Sequence, residues 1–210
     1  VQSFQDDSPE MRLRRAAERG NGVAMHNLAN LLYRYGEDAE AEHWFRCAAA
    51  EGHTRAMNNL GVLLEQVGSY DEAEAWYRRA SAAGNTNAMY NLAILLYQAG
   101  EVGAAHNWYH RAAVAGNVDA MYNLARLLEV SGDLDEAEGW YATAADEGDL
   151  DAMNNLGILL LDRGAFTQAR RYFRRAADGG HSQAMGNLAD LLRAEGAHLE
   201  AETWHRRAAG

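Results

Sequence analysis

One period governs the chain. Ala-Met recurs at 24, 56, 88, 120, 152 and 184, always 32 residues apart and with no insertion. Asn-Leu follows at 27, 59, 91, 123, 155 and 187, and Leu-Leu at 31, 63, 95, 127, 159 and 191. A fixed period of this size marks a repeat architecture. Each unit is one supersecondary element that cannot bury its apolar face alone and must stack on its neighbours. That requirement excludes a single long helix or coiled coil, because glycines interrupt the pattern about every half period.

Within a unit the apolar offsets are i, i+3, i+4 and i+7, the helical period, and nothing alternates as a strand would. Glycine closes a first segment at 36, 68, 100, 132, 164 and 196. A second segment carries Ala41 and its equivalents, and then an aromatic at Trp44, Trp76, Trp108, Trp140, Tyr172 and Trp204. A further aromatic follows at Phe45, Tyr77, Tyr109, Tyr141 and Phe173, with His205 as the exception. Glycine ends this segment at 52, 84, 116, 148 and 180, and counting Gly20 these two positions use twelve of the twenty glycines. Glycine just past the last periodic residue is what a left-handed helix cap requires. The spacing therefore predicts helix A, tight turn, helix B, tight turn. The pairs Glu42/Arg46, Glu74/Arg78 and Glu202/Arg206 stand at i, i+4 on the outer face of helix B. Each such pair is expected to contribute ~0.3–0.5 kcal/mol.

The expected organisation is an N-terminal tail and capping half-repeat helix over 1–22, then six helix-turn-helix repeats over 23–210. Ser8 and Pro9 form an N-cap and N1 pair for the half-repeat. The last repeat ends on a helix B with no polar cover. A solenoid end of that kind calls for continuation of the chain, dimerisation or a partly open end.

Net charge is -11, with 19 Arg, no Lys and one Pro. Lysine-free basicity fits a GC-rich, bacterial coding sequence. The acidic balance argues against nucleic-acid and anionic-membrane partners, which need clustered cations. One cysteine, Cys47, excludes an internal disulfide framework and a Cys-rich metal site. No apolar run reaches membrane-spanning length, and the first ten residues, VQSFQDDSPE, lack a secretory layout. The expected location is cytoplasmic.

The stretch AMYNLAILLYQAGEVGAAHNWYHRAA resembles the tetratricopeptide repeat through Leu92, Ala93, Gly100, Ala105, Tyr109 and Ala112. It lacks the closing Pro and is two residues shorter than the usual length of about 34. The linker RAAVAGNVDAM instead resembles the Sel1-like repeat, with its Ala-Ala-x-x-Gly-x-x-x-Ala junction, although the Gly-x-Gly-Val insertion is absent. The resemblance covers 11–210. It implies an all-α fold: an α-solenoid, or right-handed superhelix, of stacked antiparallel helix pairs with the A helices lining a concave groove.

On a helical wheel at about 100° per residue, Leu92, Ala88, Met89, Ala93, Leu95 and Leu96 share one apolar arc. Asn91 lies at its border. Asparagine disfavours helix interiors, yet it stands here six times: Asn27, Asn59, Asn91, Asn123, Asn155 and Asn187. A primary amide presents a donor and an acceptor side by side, matching an extended backbone. The resemblance implies that these residues grip a ligand backbone in the groove. The alternative is that each amide bonds a neighbouring helix and fixes repeat stacking, and the two roles are compatible. Specificity would come from groove positions that vary between repeats, namely Arg55, Tyr90, Ile94, Tyr97, Tyr122 and Arg126.

No nucleophile-base set, P-loop, Rossmann fingerprint or zinc-protease motif stands in the sequence. His106 and His110 lie one turn apart without a third ligand, and their neighbours Trp108 and Tyr109 are expected in the core. Cys47 aligns with Arg79, Arg111, Arg175 and Arg207, at an outward position. The expected protein is no enzyme, with no cofactor, no metal and no catalytic residue. It is a scaffold binding an extended peptide or protein segment. The alternative is a regulatory or oligomerisation module of a larger protein, with homodimerisation through the uncapped C-terminal repeat.

Overall fold

The computed structural model describes residues 8–209. The tail expected before the first helix lies, over residues 1–7, outside the described residues, as does Gly210. Among the described residues there are thirteen α-helices and no strand. The first is α1 (Pro9–Glu18), started by Ser8, whose hydroxyl accepts from the Met11 N–H at 3.2 Å. Six pairs come after it: α2 (Gly22–Arg34) with α3 (Asp38–Ala50), α4 (Thr54–Gln66) with α5 (Tyr70–Ala82), and α6 (Thr86–Gln98) with α7 (Val102–Val114). The remaining three are α8 (Val118–Ser131) with α9 (Leu134–Asp146), α10 (Leu150–Asp162) with α11 (Phe166–Asp178), and α12 (Ser182–Ala194) with α13 (His198–Ala209).

The chain divides into two compact units, one ending at Arg111 and the other starting at Ala112. In the first unit each helix from α1 to α6 packs on the next in chain order. The second unit repeats that arrangement from α8 to α13. The B helices α3, α5, α9 and α11 are thus each held between the A helix of their own pair and that of the following pair.

The turns explain the regularity. Twelve glycines, at every sixteenth position from Gly20 to Gly196, have φ between 75° and 100°. At Gly36 the glycine N–H donates to Tyr33 O at 3.1 Å, and the Glu37 N–H donates to Leu32 O at 3.0 Å. This crossed pair satisfies two orphan carbonyls and reverses the chain within three residues. An L-residue in that conformation costs about 1–2 kcal/mol.

Turns from B to A carry a second device that the sequence expectation did not include. Asn21, His53, Asn85, Asn117, Asp149 and His181 each cap the next helix, their side chains accepting from the backbone N–H of the alanine three residues on. In the A-to-B turns Glu37, Ser69, Asp133 and Ala165 stand at the same place with no side-chain cap.

The core is leucine, alanine, methionine and the second aromatic of the B helices α3 to α11, with Phe45, Tyr77, Tyr141 and Phe173 fully buried; in α13 the buried aromatic is Trp204. One first aromatic differs from the expectation. Trp108 is half-buried, not core, because neighbouring positions on a helix point about 100° apart. The Arg111 guanidinium lies 4.0 Å over its ring, and Arg79 stands 4.3 Å over Trp76 in the same way. On the other side of the tryptophan, the indole N–H donates to the glutamate one turn earlier, Glu40 for Trp44 and Glu72 for Trp76, both at 3.3 Å. Cys47 occupies the arginine position of this sandwich and lies 3.7 Å from His43.

The outer ion pairs Glu42–Arg46 and Glu74–Arg78 form at 2.8 and 2.7 Å. The third expected pair does not, since Arg206 donates to the backbone carbonyl of Glu202. Arg46 also reaches Glu72 of the next pair, and Arg14 reaches Glu40 in the same register, so these guanidiniums tie successive B helices together.

Ser81 breaks the core pattern. It replaces the alanine found at 49, 113, 145 and 177, is 2% exposed, and its hydroxyl has no hydrogen-bond partner among the described residues. Burying an unpaired hydroxyl costs about 1–3 kcal/mol. Ser81→Ala is therefore expected to stabilise the protein by about 1 kcal/mol, read as a raised urea midpoint at unchanged slope.

Candidate binding cleft and the asparagine register

The alanine whose N–H is capped at the start of each A helix marks the helical phase. Three residues after it comes the recurrent asparagine. Asn59, Asn91, Asn155 and Asn187 meet the preceding A helix of their own unit at the residue 33 positions back, His26, Asn58, Tyr122 and Asn154 respectively. Asn91 Nδ2 donates to Asn58 Oδ1 at 3.0 Å. Asn58 Nδ2 donates to Asn59 Oδ1 at 3.2 Å, and Asn59 Nδ2 to Asn30 Oδ1 at 2.9 Å. Asn30 Nδ2 donates to His26 Nε2 at 3.0 Å. Four amides and an imidazole thus form one directional chain across α6, α4 and α2.

The second unit holds a similar chain. Asn187 Nδ2 donates to Asn154 Oδ1 at 2.9 Å, and Asn154 Nδ2 to Asn155 Oδ1 at 3.2 Å. Asn155 Nδ2 donates to the Tyr141 phenol oxygen at 3.4 Å, and that phenol donates to Glu129 at 2.7 Å. Asn123 donates to the Asp119 carbonyl of its own helix at 2.8 Å. Asn27, on the first A helix, is exposed, whereas the other five asparagines are half-buried.

Two of the six repeats read AMNNLG, at 56–61 and 152–157. Their extra asparagines, Asn58 and Asn154, are the buried links of the two chains, 9% and 3% exposed. Their glycines admit a ring, since a Cβ on Gly61 would stand 2.6 Å from the Tyr77 ring and one on Gly157 2.5 Å from Phe173. The Tyr77 hydroxyl then reaches Glu65 at 2.9 Å. Burial, and next the Glu65 charge, push the Tyr77 phenol well up, so it stays a neutral donor. Tyr141 is pushed up in the same way, by burial first and then by its bond to Glu129.

Above this chain in the first unit opens a cleft of about 360 Å³. Its walls are Val62, Glu65 and Gln66 of α4, Tyr70 and Tyr77 of α5, and Asn91, Ile94 and Gln98 of α6. A smaller recess of about 150 Å³ adjoins it, lined by Asn30, Tyr33, Phe45, Asn59 and Val62. Between them the Tyr33 hydroxyl donates to Gln66 Oε1 at 2.7 Å.

Of the residues expected in a groove, this geometry brings Asn59, Asn91 and Ile94 to the two recesses. Arg55 and Tyr97 are exposed outside both linings, Tyr97 at 50%. Tyr90 packs 6.0 Å from Tyr109, centroid to centroid, and Tyr122 packs 6.1 Å from Tyr141 with Arg126 5.8 Å over its ring. Sequence reasoning missed Tyr70, which begins a B helix and is 55% exposed. A signal existed, for Val102, Leu134 and Phe166 stand at the same repeat position and are also exposed. Tyr77 was expected only as core. The clue to its second role is an acid twelve residues earlier, found with Tyr77 and Tyr141 but not with Phe45 or Phe173. Among the described residues no group of three His, Cys, Asp or Glu side chains could hold a metal, and no helix is long and apolar enough to cross a membrane.

Stacked helix pairs with a half-buried amide register define an α-α repeat protein. Two tetratricopeptide-repeat family models match the sequence, one over residues 90–152 and one over 23–50, 54–83 and 150–179. Among solved structures, a protective antigen of uropathogenic Escherichia coli strains displaying an SLR fold aligns with 27% identity and a TM-score of 0.81. The alignment covers 95% of this chain and 48% of the antigen, so the chain spans about half the antigen's length. A Sel1 repeat protein from Oxalobacter formigenes aligns at 24% identity and TM-score 0.73, over 95% of this chain and 97% of its own. YrrB, a TPR protein with an unusual peptide-binding site, aligns at 23% identity and TM-score 0.58, over 80% and 92%. The comparison with curated proteins returns no match. The chain is a tetratricopeptide/Sel1-like repeat protein.

The amide chains carry two measurable consequences. Asn154→Ala strands the Asn187 donor and the Asn155 acceptor, and should cost about 1–3 kcal/mol in chemical denaturation. Exposed Asn27→Ala should stay within about 0.5 kcal/mol of the parent. The second consequence concerns pH. Burial, then the nearby His53, with Arg55 adding to it, hold the His26 imidazole below its usual range. Between the folded and unfolded values only the unfolded chain holds the proton there. This contribution is therefore complete above the unfolded value of about 6.5 and is lost as pH falls through the window beneath it. His26→Gln keeps an acceptor for the Asn30 and Asn59 amides without titrating. Its urea midpoint should fall less between about pH 7 and pH 5 than that of the parent.

Proposed function

We propose that the protein is a non-enzymatic binding scaffold that holds an extended peptide segment against the A-helix face, with the α4–α5–α6 cleft as its principal contact. The observation that carries this reading is Asn91. One N–H of its amide is committed to Asn58. Its oxygen has no donor among the described residues, and the side chain lines an open cleft beside Ile94. An amide anchored on one side and unfilled on the other offers an acceptor and a second N–H to a passing backbone. Asn59, whose amide is used on both sides, is the stacking member of the register. The recurrent asparagines thus divide their labour between repeat stacking and ligand capture. A fold neighbour that is a TPR protein with a peptide-binding site is in keeping with this use of the architecture.

Association of two copies through the last helix pair is the competing reading, motivated by Leu199, 84% exposed near the start of α13. Sedimentation of the protein with and without Leu199→Ser separates the two, since only self-association responds to that change.

Peptides selected from a displayed random library of short segments provide the test. Ile94 is half-exposed on the cleft wall. Ile94→Arg should therefore lower the affinity of the selected peptides at least about tenfold by calorimetry, with the urea midpoint unchanged. Peptides that bind the variant as tightly as the parent would place the site elsewhere.

A further inference from the structure

Among the described residues Glu65 is the one acid in the wall of the α4–α5–α6 cleft, and no cationic side chain shares that wall. Several other acids of the first unit are matched: Glu10 and Glu40 by Arg14, Glu42 and Glu72 by Arg46, and Glu74 by Arg78. Glu65 receives the neutral Tyr77 hydroxyl, at 2.9 Å. Its carboxylate keeps acceptor capacity that no cation among the described residues fills. Around it the cleft is built for a long aliphatic stem. Val62 and Ile94 supply half-buried apolar surface, and the Tyr70 ring is 55% exposed at the rim. Arginine and lysine bury their methylenes on such walls while the charged head seeks a carboxylate or an aromatic face. A net charge of -11 further favours approach of a basic segment.

The second unit supplies a contrast within the same sequence. Glu129 and Tyr141 repeat the acid–phenol pair at 2.7 Å. Arg126, however, stands at the register position that Ile94 and Val62 take in the first unit, so that wall carries its own cation.

We propose that the Glu65 cleft is a specificity pocket for a cationic side chain, arginine or lysine, on the extended segment bound along the A-helix face. This rests on the cleft being the peptide site. A pocket so made selects positively charged segments, while Asn91 holds the backbone of whichever one enters.

The test uses a short acetylated, amidated peptide of alanine and threonine with one central arginine, its lysine twin, and its citrulline twin, which has nearly the same shape without the charge. Each is titrated into isotope-labelled protein while the side-chain amide signals of Asn91 and Gln98 are followed. The arginine and lysine peptides should shift these signals saturably, and the citrulline peptide should bind at least about tenfold more weakly. Glu65→Gln retains an acceptor for Tyr77, so the urea midpoint should hold while the ratio between charged and neutral peptides collapses to about one. Equal affinity of charged and neutral peptides for the parent protein overturns the cation pocket and leaves the cleft reading standing. A charge preference that persists in Glu65→Gln likewise overturns it. If no peptide moves Asn91 or Gln98, the cleft reading falls together with the pocket.

Discussion

A glycine held at φ between 75° and 100° every sixteen residues is the constraint from which the rest of this protein is built. Only a residue without a Cβ enters that region without strain, and it closes two carbonyls while turning the chain back on itself. With three residues between most helices there is little slack, so within each unit a helix is turned back onto the one before it. The residue after the glycine then opens the next helix. Where that residue is Asn, Asp or His, in the B-to-A turns, its side chain closes an N–H as well. Helix ends, usually the weak points of an α-helical domain, are here the most tightly specified.

Exact repetition of turn and length has a consequence for the polar groups. Since within a unit each A helix is offset from the last by one repeat, a border residue there meets the same register position of its neighbour. Asparagine at that border would be a liability in an isolated helix. Here it becomes a link between A helices, and the AMNNLG repeats extend the link into a continuous run of amides. Hydrogen bonds in such a run reinforce one another in a low-dielectric setting, and a missing member is costly for the same reason. The cleft is thus laid over a polar scaffold already committed to holding the repeats together.

How much of this was legible beforehand varies with range. The helix boundaries, the glycine turns, the buried Leu60 and Leu92 and the border position of Asn91 all follow from local periodicity, because a helix fixes the relative direction of residues three and four apart. The cleft does not. Tyr70, Tyr77 and Glu65 come from two helices joined by a turn, and their meeting with Asn91 and Ile94 depends on how a third helix lies against them. The Trp108 assignment failed for a related reason. Two adjacent aromatics cannot both face the core of one helix; Tyr109 takes the core side, and Trp108 stays outside under the Arg111 guanidinium.

The sequence by itself determined an all-α repeat of stacked helix pairs, since twelve glycines and one strict 32-residue period admit no other way to bury the leucines. Tertiary structure alone decided what each asparagine does. Asn59 has both its donor and its acceptor used by neighbours, whereas Asn91 donates to Asn58 and lines an open cleft. The two residues have the same identity and the same register. They differ in the residues that the adjacent helices bring to them, and that contact is a property of packing.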